Sequence, residues 1–496
     1  MSAANASAPR DSGWFGHPHG LSTLYFTELW ERFSYYGMRA ILIYFLVAPA
    51  ASGGLGLDTR RASLIYGTYT MSAFLFAIIG GFLGDRFLGA RRAVRLGAFV
   101  IAAGHFTLAI PSLVTFYAGL ALVALGSGLL KPNMSTLVGD LYAANDPRRD
   151  AGFSLFYMGI NVGAFLGPIG VGFLAQHASW KALLESFGFD PLASWHWGFA
   201  ASGVGMLLGI LWLRATEHRI AHLGLAPEPS AQRPWGALLG VAAGSAALIA
   251  YVLAADQPGW EWLRWLFVIA PVALAYGLGL RPSATARRMS VVLVLFLAAM
   301  VFWGAFEQGG STLALFGDQL TRTELLGWKF PSSWYQSVGS VFVFTLAPLF
   351  AWMWPRLGAQ QPSSPFKFAL GLAFMAASFA LMIPAAKLTA GGLISPLWLV
   401  GVFFVQTLGE LCLSPVGLSA MTRLAPQRLA GVMLGIWFLA DALGNKLAGV
   451  LAGEFSAADP AALARFFATQ TVVIAGSAVL MFALVPRLKR LMSEAP

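Results

Sequence analysis

Charge is what this 496-residue chain has least of: only 11% of its residues are Asp, Glu, Lys or Arg, against roughly a quarter in an ordinary soluble domain. Its length alone would allow three soluble domains, but so little charge cannot solvate their surfaces, and with 57% apolar residues the chain belongs in lipid. Cysteine is nearly absent. Cys412 stands alone inside an apolar run, which excludes a disulfide framework. The first eighteen or so residues lack an apolar core before a cleavage site. No signal peptide is expected, and the first apolar run acts as its own insertion signal. There is no HExxH, no GxSxG and no cluster of metal-ligand spacing, so an enzyme is not expected. The net charge of +10 comes without a basic stripe carrying interleaved aromatics, which argues against nucleic acid as a partner.

What is present in quantity is long apolar runs. A membrane span needs about twenty predominantly apolar residues. Fourteen stretches meet that need, near 21–50, 61–84, 92–111, 113–141, 152–176, 194–214, 235–254, 262–280, 290–316, 334–355, 366–386, 394–421, 429–452 and 463–486. With the N-terminus in the cytoplasm, most of the 32 basic residues fall on that side: Arg10, the cluster from Arg86 to Arg95, Arg148, Arg149, Arg233, Arg287, Arg288, Arg428 and the basic tail among them. This is the positive-inside bias, and it predicts both termini in the cytoplasm. The spans divide six, two, six. Residues 1–216 form one six-helix unit, 217–288 a linker with two extra helices, and 289–496 a second six-helix unit. The middle pair has no acid or base in its apolar cores and reads as an insertion, not as chemistry.

Ionisable residues inside spans are few: Glu28, Glu31, Arg32, Arg39, Lys131, Glu307, Glu410, Asp441 and Lys446. Each costs about 2.5–3.5 kcal/mol near a helix centre unless it faces water or a partner. In the first span, Glu28, Glu31, Arg32, Tyr35, Tyr36 and Arg39 share an arc of roughly 140° at about 100° per residue. The opposite face is Leu29, Phe33, Ala40 and Ile41. That helix is therefore expected to line a polar interior. Lys446, near the outer end of its span, is expected to snorkel to the interface. His105 stands among Ala, Gly, Phe and Thr and reads as structural.

Two resemblances follow from these stretches. The loop Gly80-Gly81-Phe82-Leu83-Gly84-Asp85-Arg86-Phe87-Leu88-Gly89-Ala90-Arg91-Arg92 resembles the signature loop of the major facilitator superfamily. Glu28-Leu29-Trp30-Glu31-Arg32-Phe33-Ser34-Tyr35-Tyr36-Gly37 resembles the ExxERFxYYG motif of the proton-dependent oligopeptide transporter family. Further stretches similar to that family follow in order: Leu130 to Asn133, Phe156 to Ala164, Phe302 to Gln308, Gly409 to Ser419, and Trp437 to Leu439 with Gly444-Asn445. The resemblance implies an all-α integral membrane protein of the major facilitator fold, with two six-helix bundles and two inserted helices. It implies a proton-coupled symporter importing di- and tripeptides by alternating access, in a bacterial inner membrane. It implies no cofactor, the proton gradient as driving force, and a monomer in the bilayer.

Short peptides share an ammonium, a carboxylate and a backbone, so a site accepting many of them grips the ends. The resemblance assigns Arg32 and Lys131 to the carboxylate and Glu410 and Asn161 to the ammonium. It assigns Tyr35, Tyr36, Trp303, Phe306, Ser414 and Trp437 to the pocket walls, and Glu28, Glu31 and Glu307 to protons. In the expected gating, Arg39 pairs with Glu307 on the outer side, Lys131 pairs with Glu410 on the inner side, and Asp85 serves the inner interface. Three positions depart from the family: Phe74 stands where a tyrosine is common, Gly339-Ser340 where Asn-Pro is common, and Asp441 is an added acid that would serve an ammonium or a proton. These departures leave open a non-peptide substrate, such as a peptidomimetic, an amino-acid derivative or an anion like nitrate.

Overall fold

A computed structural model describes residues 13–143, 146–226, 235–281, 283–424 and 430–493. Arg10, Arg233 and Arg428 lie outside the described residues. Among the described residues there are fourteen long helices: α1 (His19–Val47), α2 (Thr59–Leu83), α3 (Ala90–Leu108), α4 (Leu113–Asp140), α5 (Arg149–Gln176), α6 (Ser194–Thr216), α7 (Trp235–Ala255), α8 (Leu266–Gly279), α9 (Ala284–Phe306), α10 (Val338–Arg356), α11 (Ser364–Leu388), α12 (Leu397–Leu424), α13 (Ala430–Ala452) and α14 (Pro460–Ser493). Among the described residues, 11 helices are long and apolar enough to cross a membrane by composition. The spans that fall short carry ionisable side chains: α1 with its four charges, α3 with Arg91, Arg92 and Arg95, and α13 with Asp441 and Lys446. The architecture is two six-helix bundles, α1–α6 and α9–α14, with the pair α7–α8 inserted between them. Of that pair, α7 packs on α2 and α8 on α9.

Lipid gives helices no hydrophobic reason to associate, so they close on one another through small residues. Two contacts show this. At Gly163 of α5 an added Cβ would stand 2.3 Å from the Leu29 carbonyl oxygen and 2.7 Å from Arg32 Cβ. This is what seats α5 against the charged stretch of α1. At Gly67 of α2 it would stand 2.8 Å from Gly449 Cα, so α2 and α13 touch across the line between the two bundles. The apolar face of α1 packs as its period requires: Phe33 fills the space over Gly205 of α6, and Ile41 meets Gly198.

The ninth apolar run, 290–316, is not one helix. α9 ends at Phe306, a 3-10 turn spans Glu307–Gly310, and helix resumes over Thr312–Gln319. Gln308 braces the break: its Nε2 donates to the Gly304 carbonyl at 3.1 Å and to Gln470 Oε1 of α14 at 2.6 Å, while Thr312 Oγ1 donates to its Oε1 at 2.9 Å. Broken helices deep in a membrane persist where the freed backbone lines a polar cavity or is buried in protein.

An even number of spans puts both ends of the chain at one end of the bundle. The opposite, distal end is where the halves are tied together. Gln336 Nε2 donates to the Ala40 carbonyl at 3.0 Å, Ser337 Oγ to Phe165 O at 2.8 Å and Trp334 Nε1 to Ile169 O at 3.1 Å. Gln176 bonds Ser332 Oγ at 3.1 Å, and Tyr44 Oη donates to Ala314 O at 3.2 Å. The segment 332–337 thus closes over the ends of α1 and α5.

Candidate functional site

The polar stretch of α1 faces inward, between the bundles. Arg32 is buried and ion-paired to both of its neighbours on the helix, at 2.9 Å to Glu28 Oε1 and also to Glu31. Its guanidinium lies 5.5 Å from the Tyr35 ring centroid. From α4, Lys131 Nζ sits 5.8 Å from the same ring and 3.7 Å from the ring of Phe74 on α2. Phe74, the residue standing where a phenol was expected, therefore holds the ammonium by a cation–π contact. Arg32 Nη2, Tyr35 Oη and Trp303 Nε1 are buried with no hydrogen-bond partner in the protein. Buried polar atoms are normally bonded, so each marks a place for water or a polar ligand.

Two turns past Arg32 on α1, Arg39 crosses to the second bundle. It is ion-paired with Glu307, at the start of the break after α9, and both side chains are at most 10% exposed. Its Nε also donates to Tyr66 Oη of α2 at 2.6 Å. Tyr36 lies between these two charged groups, within Coulombic reach of Arg32, Arg39, Glu307 and Glu410. Asp441 of α13 is buried and bonded by Asn445 Nδ2 at 2.9 Å, within Coulombic reach of Glu307, Lys131 and Arg39.

The far wall comes from α5, α9, α12 and α13. Glu410 is half-buried, beside Tyr157, which is 41% exposed. Asn161 donates from Nδ2 to the Tyr157 carbonyl at 3.0 Å. Trp303 and half-buried Phe306 meet edge-on with centroids 5.5 Å apart. Trp437 is buried against Phe368 and over Gly417, with Ser414 half-buried one turn past Glu410. Lys131 and Glu410 are not paired with each other, and Asp85 is exposed at the turn after α2, away from this cluster.

Two features escaped the sequence reading. Tyr66, which holds Arg39, lies two turns before Phe74 on the same face of α2, and that spacing was the available signal. Lys446 corrects an expectation: it does not snorkel. Its Nζ is ion-paired at 2.5 Å to Asp256, just past the end of α7, and donates to Thr68 Oγ1 at 2.8 Å; both charged side chains are at most 10% exposed. The inserted pair supplies the counter-charge for α13, which makes burial cheaper than reaching for the interface.

The sequence matches the POT family over residues 91–466. The chain belongs to the POT family. This POT family member is 39% identical to the peptide transporter YePEPT of Yersinia enterocolitica, over 99% of this chain and 98% of that one. It is 35% identical to a di-/tripeptide transporter of Lactococcus lactis subsp. cremoris, over 93% of each chain. Among solved structures it superposes on a substituted peptide transporter POT crystallised with alafosfalin, with a TM-score of 0.84, 40% identity and 97% of each chain covered.

Proposed function

We propose that this protein is a proton-coupled symporter that imports di- and tripeptides by alternating access, and that it has no catalytic activity. One observation carries the reading: Arg39 of α1 is ion-paired to Glu307 at the break after α9, across the two bundles, while Lys131 and Glu410 stand apart. This is the pattern of a transporter closed at its distal end. Protonating Glu307 removes the negative partner of Arg39 and weakens the distal closure. Pairing of Lys131 with Glu410 then closes the proximal end, and loss of the proton to the other side resets the cycle.

The peptide carboxylate goes to Arg32 and Lys131, and its ammonium to Glu410 and Asn161, with Asp441 as a further acid. Tyr35, Tyr36, Trp303, Phe306, Ser414 and Trp437 wall the space for side chains. Glu28 and Glu31 hold Arg32 when ionised and are the other proton carriers. The functional units are 1–216 and 289–496, with 217–288 as the inserted segment. Asp85 belongs to the proximal closure. The protein is monomeric, sits in a bacterial inner membrane with both termini cytoplasmic, and uses no cofactor. A zwitterionic peptide moving with one proton carries one net charge, so 100 mV supplies about 2.3 kcal/mol, roughly a fiftyfold accumulation.

The experiment is uptake of a labelled dipeptide into proteoliposomes under an inward proton gradient, with unlabelled competitors. Accumulation that a protonophore abolishes and that dipeptides compete for is expected. Uptake indifferent to the gradient overturns coupling. A second reading, a non-peptide substrate on the same proton cycle, is favoured by Phe74 and Asp441 in the pocket. Competition by amino-acid derivatives or anions, but not by dipeptides, would select it.

A further inference from the structure

Asp256 and Lys446 meet where three parts of the chain come together at the distal end. Lys446 belongs to α13 of the second bundle and, at about 1.5 Å per residue, lies about 9 Å below the distal end of that helix at Ala452. Its Nζ donates at 2.8 Å to Thr68 Oγ1 of α2, in the first bundle, and is ion-paired at 2.5 Å to Asp256, which follows α7. Beside it the two bundles touch backbone to backbone. A Cβ added at Gly449 would stand 2.6 Å from the Ser63 carbonyl oxygen and 2.7 Å from Gly67 Cα. One turn further out, a Cβ added at Gly453 would stand 3.3 Å from Arg60 Cγ.

The segment that carries Asp256 is held to the first bundle. α7 packs on α2. The turn beyond it meets α2 again through Arg60 and Glu261, 3.7 Å apart on the surface. An exposed pair of this kind contributes little energy, but it marks which side the turn belongs to. α8, by contrast, packs on α9 of the second bundle. The inserted hairpin therefore straddles the bundles, with Asp256 at its distal turn on the side of the first. Lys446–Asp256 and Lys446–Thr68 are thus contacts between bundles, as Arg39–Glu307 is. They close the seam between α2 and α13, whereas segment 332–337 closes over the ends of α1 and α5.

We propose that Asp256 and Lys446 are gating residues of the transport cycle, and that the inserted pair acts through them as a second distal latch. The three groups come from α2, α13 and the inserted hairpin, and they converge on one ammonium while the α2 and α13 backbones touch. Parting the bundles at the distal end draws Lys446 away from Thr68 and Asp256. An interaction moves an equilibrium only by the difference it makes between the two states. Made in the distal-closed state and broken in the distal-open one, this pair favours closure. The latch presupposes the alternating access proposed above.

The test is an electron–electron distance measurement on the full-length protein in nanodiscs. Spin labels are placed at Ala51→Cys, past α1, and Ala458→Cys, before α14, both exposed at the distal end, with Cys412→Ser removing the buried native thiol. With Asp256 and Lys446 intact, this labelled protein should give a main short distance and a minor long one that grows at acidic pH with dipeptide. Asp256→Asn, Lys446→Met and the double variant should each raise the long-to-short ratio about tenfold at neutral pH, the shift expected for one hydrogen bond to a charged group. The double variant removes both charges, so it separates a latch from a brace. Thermal unfolding near that of the labelled parent together with a raised ratio supports the latch. An unchanged ratio in the folded double variant overturns it and leaves the pair a structural brace. A single distance in every condition for the labelled parent overturns alternating access itself, and the latch with it.

Discussion

Replacing Glu307 by glutamine removes one charge from a buried pair and changes little in size. The carboxylate is the ion-pair partner of Arg39, and both side chains are at most 10% exposed. Removing one member of a buried pair costs about 3–5 kcal/mol, because the other charge is left behind. Tyr66 still accepts from Arg39 at 2.6 Å, and the bonds of segment 332–337 remain, so the lower end applies. About 3 kcal/mol shifts the ratio of distal-closed to distal-open states roughly 150-fold. Glutamine also mimics the protonated acid and carries no exchangeable proton. In proteoliposomes at 100 mV, the wild type should accumulate a labelled dipeptide roughly fiftyfold, and Glu307→Gln should fall to about the external concentration. Counterflow of labelled against unlabelled dipeptide needs no net proton movement and should persist. Wild-type accumulation by Glu307→Gln refutes the reasoning, and loss of counterflow together with accumulation reassigns Glu307 to binding.

Three other outcomes follow from the structure. Asp256→Ala takes the acid from buried Lys446, which keeps its bond to Thr68 Oγ1, so the lower end of the cost of breaking a buried pair applies, about 3 kcal/mol; thermal unfolding in detergent should drop by several degrees, and Lys446→Met added to it should restore most of the loss. Phe74→Leu removes the ring 3.7 Å from Lys131 Nζ, worth about 1–2 kcal/mol, and should raise the dipeptide KM roughly five- to thirtyfold, with Phe74→Tyr near wild type. Gly163→Val places a side chain where even a Cβ stands 2.3 Å from the Leu29 carbonyl; α1 and α5 separate, so folded protein recovered by size-exclusion chromatography should fall sharply, whereas Ala at the open position Gly339 should have no such effect.

The fold was legible because lipid makes the rules strict. Apolar runs of sufficient length had to be helices, and the acids and arginines of α1 had to turn away from lipid. The offsets of Glu28, Glu31, Arg32, Tyr35, Tyr36 and Arg39 therefore marked an inward face, and all but Tyr36 are buried in the structure. The break at Glu307–Gly310 was hidden, because the apolar run continues through Leu313 to Phe316 and only Gly309-Gly310 hints at it. The Asp256–Lys446 pair was hidden for a different reason. Its members lie 190 residues apart, and an acid just past a helix end looks like an ordinary loop residue until the partner is seen. Tyr66 and Tyr157 were passed over because a phenol on an apolar helix is equally at home in packing; only their positions beside Arg39 and Glu410 distinguish them.

The most direct measurement of the central claim is proton entry driven by peptide. Proteoliposomes loaded with a pH-sensitive dye, at equal pH on both sides and with an inside-negative potassium diffusion potential, are given an external dipeptide. Internal acidification is expected to start with the peptide, to saturate with its concentration and to be absent in Glu307→Gln. Peptide entry with no change of internal pH in the wild type would contradict it.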